Sequence, residues 1–254
     1  MTEQGGLRGK RILICNDDGI GAVGLKVLEQ AALSLSDDVW VVAPAEEQSG
    51  KAHSFTIGRP MTAEKLAGRR YSVTGTPTDC VLYAFNVLLR DKRPDLVLAG
   101  INHGENVGLD VLYSGTVGIA TEGALQGVKG IAFSLAGAKK GSAFWDITEK
   151  RAEEILPVLA ETAGADVFNV NFPATDGPAP VVQTTICDRK IGDAVDVSET
   201  DGNKTVFTVL STRSAYAKTP GCDAEALARG NVTVTAWKAG APAAVDVRIG
   251  TLSI

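Results

Sequence analysis

The chain has 254 residues, with 25 Lys plus Arg against 30 Asp plus Glu and a formal net charge of -5. That length suits one large α/β domain or two small ones, and 44% hydrophobic with 22% charged residues excludes a disordered, collagenous or coiled-coil chain. The acidic balance argues against nucleic acid as a main partner; with no apolar run near the ~20 residues a bilayer demands, and no signal-like start, no membrane role is expected and the cytoplasm is the default compartment.

Taken in chain order, short β-branched runs alternate with helical patterns, the signature of βαβ units around a parallel sheet. Arg11 to Cys15 predicts a buried strand, followed by a helix near Ala22 to Leu35 and a second strand at Val39 to Ala43. Val81, Phe85 and Leu88 recur at helical spacing, with Thr78 and Asp79 placed to start that helix. Strands follow at Asp95 to Ala99, Gly130 to Ser134 and Asp166 to Val170, with helices at Thr116 to Gln126 and Ala143 to Ala163, the latter kinked at Pro157. From Pro173 the pattern changes. Val181 to Ile186, Thr205 to Leu210 and Val232 to Ala236 alternate like half-exposed strands, Asp196 to Lys204 reads as a polar turn, and a hairpin or arm used for oligomerisation is expected. Cys15, Cys80, Cys187 and Cys222 are too scattered for a disulfide framework or a zinc site and read as free thiols.

In parallel sheets ligands bind beyond the carboxyl ends of the strands, so the segments after each strand carry the chemistry. Asp17 and Asp18 in Asn16-Asp17-Asp18-Gly19 would repel by about 4 kcal/mol if held ~4 Å apart at an effective dielectric near 20. A bound cation removes that cost, and oxygen-only surroundings favour Mg²⁺ or Mn²⁺; the competing reading is a turn that caps the next helix. Ser49-Gly50 and Ser114-Gly115-Thr116 supply hydroxyls and open backbone N–H groups, the second at a helix start, and both suit a phosphate. The loop Gly100 to Gly108, with three Gly and two Asn, implies close backbone approach to a ligand, and its His103 is a candidate general acid; His53 and Lys51 carry weaker signals.

Gly19-Ile20-Gly21-Ala22-Val23-Gly24 also matches the dinucleotide fingerprint, with Glu46 following. Asp17 and Asp18 would then crowd the pyrophosphate, which weighs against an NAD(P)-dependent oxidoreductase. No P-loop, no cysteine-phosphatase spacing and no Asp-x-Asp nucleophile occurs. Metal-assisted chemistry on a phosphate survives, beside a non-catalytic nucleotide-binding oligomer.

Together these segments resemble the SurE family. The matching stretches are Ile14 to Gly19, Val42-Ala43-Pro44 with Gln48-Ser49-Gly50, Gly75 to Val81, Gly100-Ile101-Asn102 with Gly104, Asn106, Gly108 and Asp110, Tyr113 to Gly118, and Asn169 to Pro173. The resemblance implies a phosphomonoesterase acting on nucleoside 5′- and 3′-monophosphates with one divalent metal per subunit, Mg²⁺ or Mn²⁺. It implies metal ligation by Asp17, Asp18, Ser49 and Asn102 and a phosphate side formed by Gly50, Asn106, Ser114, Gly115 and Thr116; for the leaving alkoxide the residues offer His103 or a second metal-bound water as the proton donor. It implies a single domain over 1-254, a Rossmann-like three-layer α/β sandwich at 11-175 with a mostly parallel sheet, and a 176-254 β-hairpin extension exchanged in a homodimer or homotetramer. Ala45-Glu46-Glu47, Ala99 and Cys222-Asp223 depart from the family's usual residues.

Overall fold

Five β-branched or apolar runs, too short for helices and bounded by polar turns, become adjacent strands because each can bury both faces only inside a sheet covered on both sides. The computed structural model describes residues 6–137, 144–188, 194–210 and 221–240. The chain runs β1 (Arg11–Cys15), α1 (Val23–Leu35), β2 (Asp38–Pro44), β3 (Ala63–Ala67), β4 (Arg70–Val73), α2 (Pro77–Tyr83), β5 (Leu96–His103), α3 (Gly115–Leu125), β6 (Gly130–Leu135), α4 (Phe144–Glu161) and β7 (Val167–Phe172). It continues through β8 (Val181–Gln183), β9 (Val195–Asp201), β10 (Lys204–Val209), α5 (Asp223–Ala228) and β11 (Val232–Trp237).

Nine strands form one sheet in the order β3-β4-β2-β1-β5-β6-β7-β11-β8. The pairs from β4 across to β7 are all parallel, whereas β3 and β11 run antiparallel to β4 and β7. After β1 the chain adds β2 on one side, then returns to place β5 on the other. The crevice between β1 and β5 is therefore a topological switch point, where ligands bind in open α/β sheets.

Two apolar layers hold the sheet. On one face Leu25, Leu28 and Ala31 of α1 and Ile155, Leu156 and Leu159 of α4 pack on Ile12, Ile14, Val41 and Phe133. On the other, Val81, Phe85, Val117, Ile119 and Ala120 pack on Leu13, Val42, Val97 and Ala99. Each of the Val, Leu, Ile and Phe side chains among these contributes about 1.5–3 kcal/mol when fully removed from water.

Several expectations need correction. β5 continues through Gly100 to His103, so the expected nine-residue loop begins only at Gly104. The strand continues because its register shifts between Ala99 and Asn102. Gly100 sits at φ +114°, where a Cβ would lie 2.3 Å from the Phe133 carbonyl oxygen; the Gly100–Ile101 peptide is cis. The Asp196 to Lys204 segment is not a polar turn: its first part is strand β9, paired antiparallel with β10. Val195 and Val197 alternate with polar residues too weakly to announce a strand without that partner. The helix near Val81 to Leu88 is α2, started by a Thr76–Asp79 capping box with Pro77 in its first turn, followed by a π-helical turn over Ala84–Leu88. The Val181 to Ile186 run supplies only the three-residue β8, with a single bridge from Thr185 to Cys222 beyond it. β3 and β4 form an antiparallel hairpin where the sequence pattern predicts no strand. In α4 the helix passes through Pro157 to Glu161; Ala143, its expected first residue, lies outside the described residues. All four cysteines are free and buried.

Candidate active site

The acidic turn forms where β1 stops at Cys15, opposite Ala99, while β5 runs on to His103 and β2 to Pro44. Asn16 is fully buried and donates its side-chain nitrogen to the Gly19 carbonyl at 3.0 Å. Gly19 adopts φ +93° against the backbone of Glu46, and the Ile20 N–H donates to the Pro44 carbonyl. This ties the β1 turn to the end of β2. The Gln48 N–H then donates to the Asp17 carbonyl at 2.7 Å, setting Ser49 and Gly50 beside it.

Asp17 is buried. Thr116 Oγ1 donates to Asp17 Oδ1 at 2.5 Å, and a Cβ on Gly115 would lie 2.9 Å from Asp17 Oδ2, so α3 begins pressed against this carboxylate. Burial pushes the Asp17 carboxyl up to about 6; the Thr116 hydrogen bonds oppose the rise and the neighbouring Asp18 charge adds to it. Asp18 turns toward the end of β5, where its Oδ2 accepts from the His103 N–H at 3.3 Å and faces His103 Nδ1 at 3.2 Å. The His103 ring stands edge-on to Trp145, with centroids 5.1 Å apart.

Asp17, Ser49, Gly50, Asn102, His103, Asn106 and Ser114 line one cavity of about 200 Å³. Asp18 lines an adjoining cavity of about 550 Å³ with Glu46, Glu47 and the start of α1, and His103 borders both. Gly115 and Thr116 stand behind Asp17. The Thr116 hydroxyl is directed at that carboxylate, and Ser114 Oγ accepts from the Val117 N–H as the α3 cap. Asn102 donates its side-chain nitrogen to the Gly104 carbonyl, which leaves Oδ1 as the atom it can offer a cation. Ser49 Oγ donates to Glu47, leaving its lone pairs. The set is all oxygen and includes a desolvated carboxylate, the composition that suits a hard divalent ion.

Sequence reasoning gave no role to the residues that hold Asn106. Its N–H donates to Asn171 Oδ1 at 2.7 Å, its side-chain nitrogen donates to Ser134 Oγ at 2.9 Å, and its carbonyl accepts from Asn169 and Asn171. A signal was present: two amides two residues apart on a buried strand share one face and must find partners there. Asp223 is a second omission. Its Oδ2 accepts from the Gly108 N–H at 2.8 Å, and Oδ1 accepts from the Cys187 and Ala224 N–H groups.

The dinucleotide-like glycines have a packing explanation. A Cβ on Gly24 would lie 1.9 Å from the Ile101 carbonyl oxygen, so α1 crosses β5 at backbone contact. The cavity before α1 carries Asp18, Glu46 and Glu47, which repel a pyrophosphate. Among the described residues no helix is long and apolar enough to cross a membrane.

Comparison with known proteins supplies relatives. The family model described as Survival protein SurE matches residues 12–193. A protein named 5′-nucleotidase SurE from Paramagnetospirillum magneticum is 44% identical over 229 residues, 89% of this chain and 88% of that protein. One of the same name from Rhodospirillum rubrum is 42% identical over 232 residues, 89% and 88% of the two chains. The crystal structure of the SurE protein from Aquifex aeolicus matches with a TM-score of 0.73 at 34% identity, over 89% of this chain and 92% of that one.

Proposed function

This chain belongs to the SurE family, and from that premise we propose that it hydrolyses nucleoside monophosphates to the nucleoside and inorganic phosphate at the crevice between β1 and β5. The observation that carries the reading is the buried Asp17 carboxylate, converging with Ser49 and Asn102 on one oxygen-lined cavity. One divalent ion, Mg²⁺ or Mn²⁺, would be held by Asp17, Asp18, Ser49 and Asn102. When bound it supplies Lewis acidity toward a phosphoryl oxygen and neutralises charge.

The protein's own groups do the rest. The Thr116 hydroxyl holds Asp17 in one orientation, and the helix start at Ser114-Gly115 offers N–H groups and a favourable dipole to the phosphate. Gly50 leaves the backbone open on the opposite side. Asn106, fixed by Asn169, Asn171 and Ser134, keeps one amide hydrogen for a phosphoryl oxygen. Asp18 orients the His103 ring through Nδ1 and so fixes the end of β5 at the rim of the cavity. Replacing Asp17 with Asn keeps the shape but removes the charge. Mn²⁺-dependent phosphate release from AMP should fall roughly 1,000-fold or more; unchanged turnover at saturating Mn²⁺ overturns the assignment.

The β9–β10 ribbon supports a homo-oligomer. The directly opposed pairs Val195–Val209 and Val197–Phe207 put four apolar side chains on one face, each more than half exposed. A two-stranded ribbon is marginal alone and a second copy would cover that face. Light scattering on Val197→Lys/Phe207→Lys should show a smaller assembly than the parent; an unchanged mass counts against it.

A further inference from the structure

A cavity of about 200 Å³ holds a phosphoryl group but not a nucleoside, since small-molecule sites generally run to ~300–1,000 Å³. The rest of the substrate must extend into a neighbouring space, and the two large ones beside the acidic turn differ in charge. The cavity of about 550 Å³ presents Asp18, Glu46 and Glu47. The other, about 510 Å³, lies beyond Gln48 and carries Lys51 and Arg59 against the single carboxylate of Glu46. Among the described residues neither cation has an ion pair or a side-chain hydrogen bond, in a chain with more acids than bases.

The walls of this second cavity are built. Asp79 accepts from the Thr56 N–H and hydroxyl and from the Thr76 N–H, pinning the 54–62 segment to the start of α2. Met61 closes over Gly75, where a Cβ would lie 2.7 Å from its sulfur, and presents a soft apolar surface. Gln48 leads to Ser49 and Gly50 of the central cavity, so the two spaces are neighbours along one loop.

We infer that the leaving group lies in this Lys51–Arg59 cavity, and that the two cations select organic leaving groups carrying a second phosphoryl group, such as that of adenosine 3′,5′-bisphosphate. The inference rests on the hydrolase reading above and goes beyond it in substrate class. Lys51 and Arg59 are specificity residues that meet the distal phosphoryl group, away from the bond that breaks.

Phosphate release from AMP, adenosine 3′,5′-bisphosphate and inorganic tripolyphosphate is measured for the parent and for Lys51→Gln/Arg59→Gln, with a Mn²⁺-induced rise in melting temperature confirming that the variant is folded. The ratio of kcat/KM for the bisphosphate to that for AMP should fall about tenfold in the variant, through KM, the scale of one or two lost charge-assisted hydrogen bonds. A ratio unchanged in an active variant, or a fall carried by kcat, overturns the inference and leaves the hydrolase reading intact. Tripolyphosphate has the extra charge but nothing to lie on Met61, so a parent that prefers it to the bisphosphate overturns the organic part. Should AMP release no phosphate, the hydrolase reading fails; calorimetric titration of the bisphosphate in EDTA then still reads the cavity, with about tenfold weaker binding expected in the variant and equal binding contradicting the inference.

Discussion

The two sides of the crevice are anchored by different means. The acidic turn is fixed largely by its own backbone and the adjacent β2 loop, through Gly19, Pro44 and Gln48, with Thr116 added from α3. The Asn106 segment is pinned from afar, by Ser134, Asn169 and Asn171 on β6 and β7 and by Asp223 at the start of α5. A segment held by remote side chains has no conformation of its own. Its geometry can be altered by substitutions far from the cavity, whereas the acidic turn yields to changes within it or in the β2-loop and α3 residues packed directly against it.

That contrast can be broken by experiment. Gly115→Ala would drive a methyl group to within 2.8 Å of Asp17 Cβ, and should cost about 100-fold in metal-dependent turnover with weakened Mn²⁺ binding. Asp223→Ala leaves three backbone N–H groups without their acceptor. It should lower kcat about tenfold and the melting temperature by several degrees, with Mn²⁺ affinity unchanged; a large loss of Mn²⁺ affinity instead would show that the two sides are not separately anchored. Asn171→Ala, which removes one acceptor and one donor from the Asn106 backbone, should cost about fivefold in kcat, read with AMP at saturating metal.

The smallest effect is one of pH. Burial raises the Asp17 carboxyl to about 6 from its ordinary 3.8, so the metal-free fold binds a proton more tightly than the unfolded chain. This group therefore adds stability to the metal-free protein as pH falls through 6 toward 4, and withdraws it as pH rises. A cation needs the ionised form. The rise in melting temperature induced by Mn²⁺ should be larger at about pH 7.5 than at about pH 5; an equal rise at both would place the titration elsewhere.

Much of this arrangement is legible in the residues. Buried strands announce themselves when both faces are apolar, as in Ile12 to Cys15 and Ile131 to Leu135, and adjacent acids after such a strand demand a partner. β3 and β9 escape because their residues are largely exposed and their only strong argument for being strands is the pairing partner, and β4 because its buried run is only three residues long. Gly24 is ambiguous in sequence, since one glycine serves equally for a pyrophosphate or for the Ile101 carbonyl. Asp223 was invisible for the same kind of reason: its bond to Gly108 spans 115 residues, and nothing near either position reports the other.

The place of β11 in the sheet has a consequence for how the molecule is made. This strand lies between β7 and β8, yet it follows both in the chain, and Asp223 precedes it by only a few residues. A polypeptide emerging from the ribosome can therefore assemble the acidic turn early, since β1, β2 and β5 are all present, while β7 waits with an open edge. The Asp223 anchor of Gly108 arrives last, when α5 and β11 dock, so a nascent chain passes through an interval in which Asp17 and Asp18 are in place while the Asn106 segment still lacks that partner.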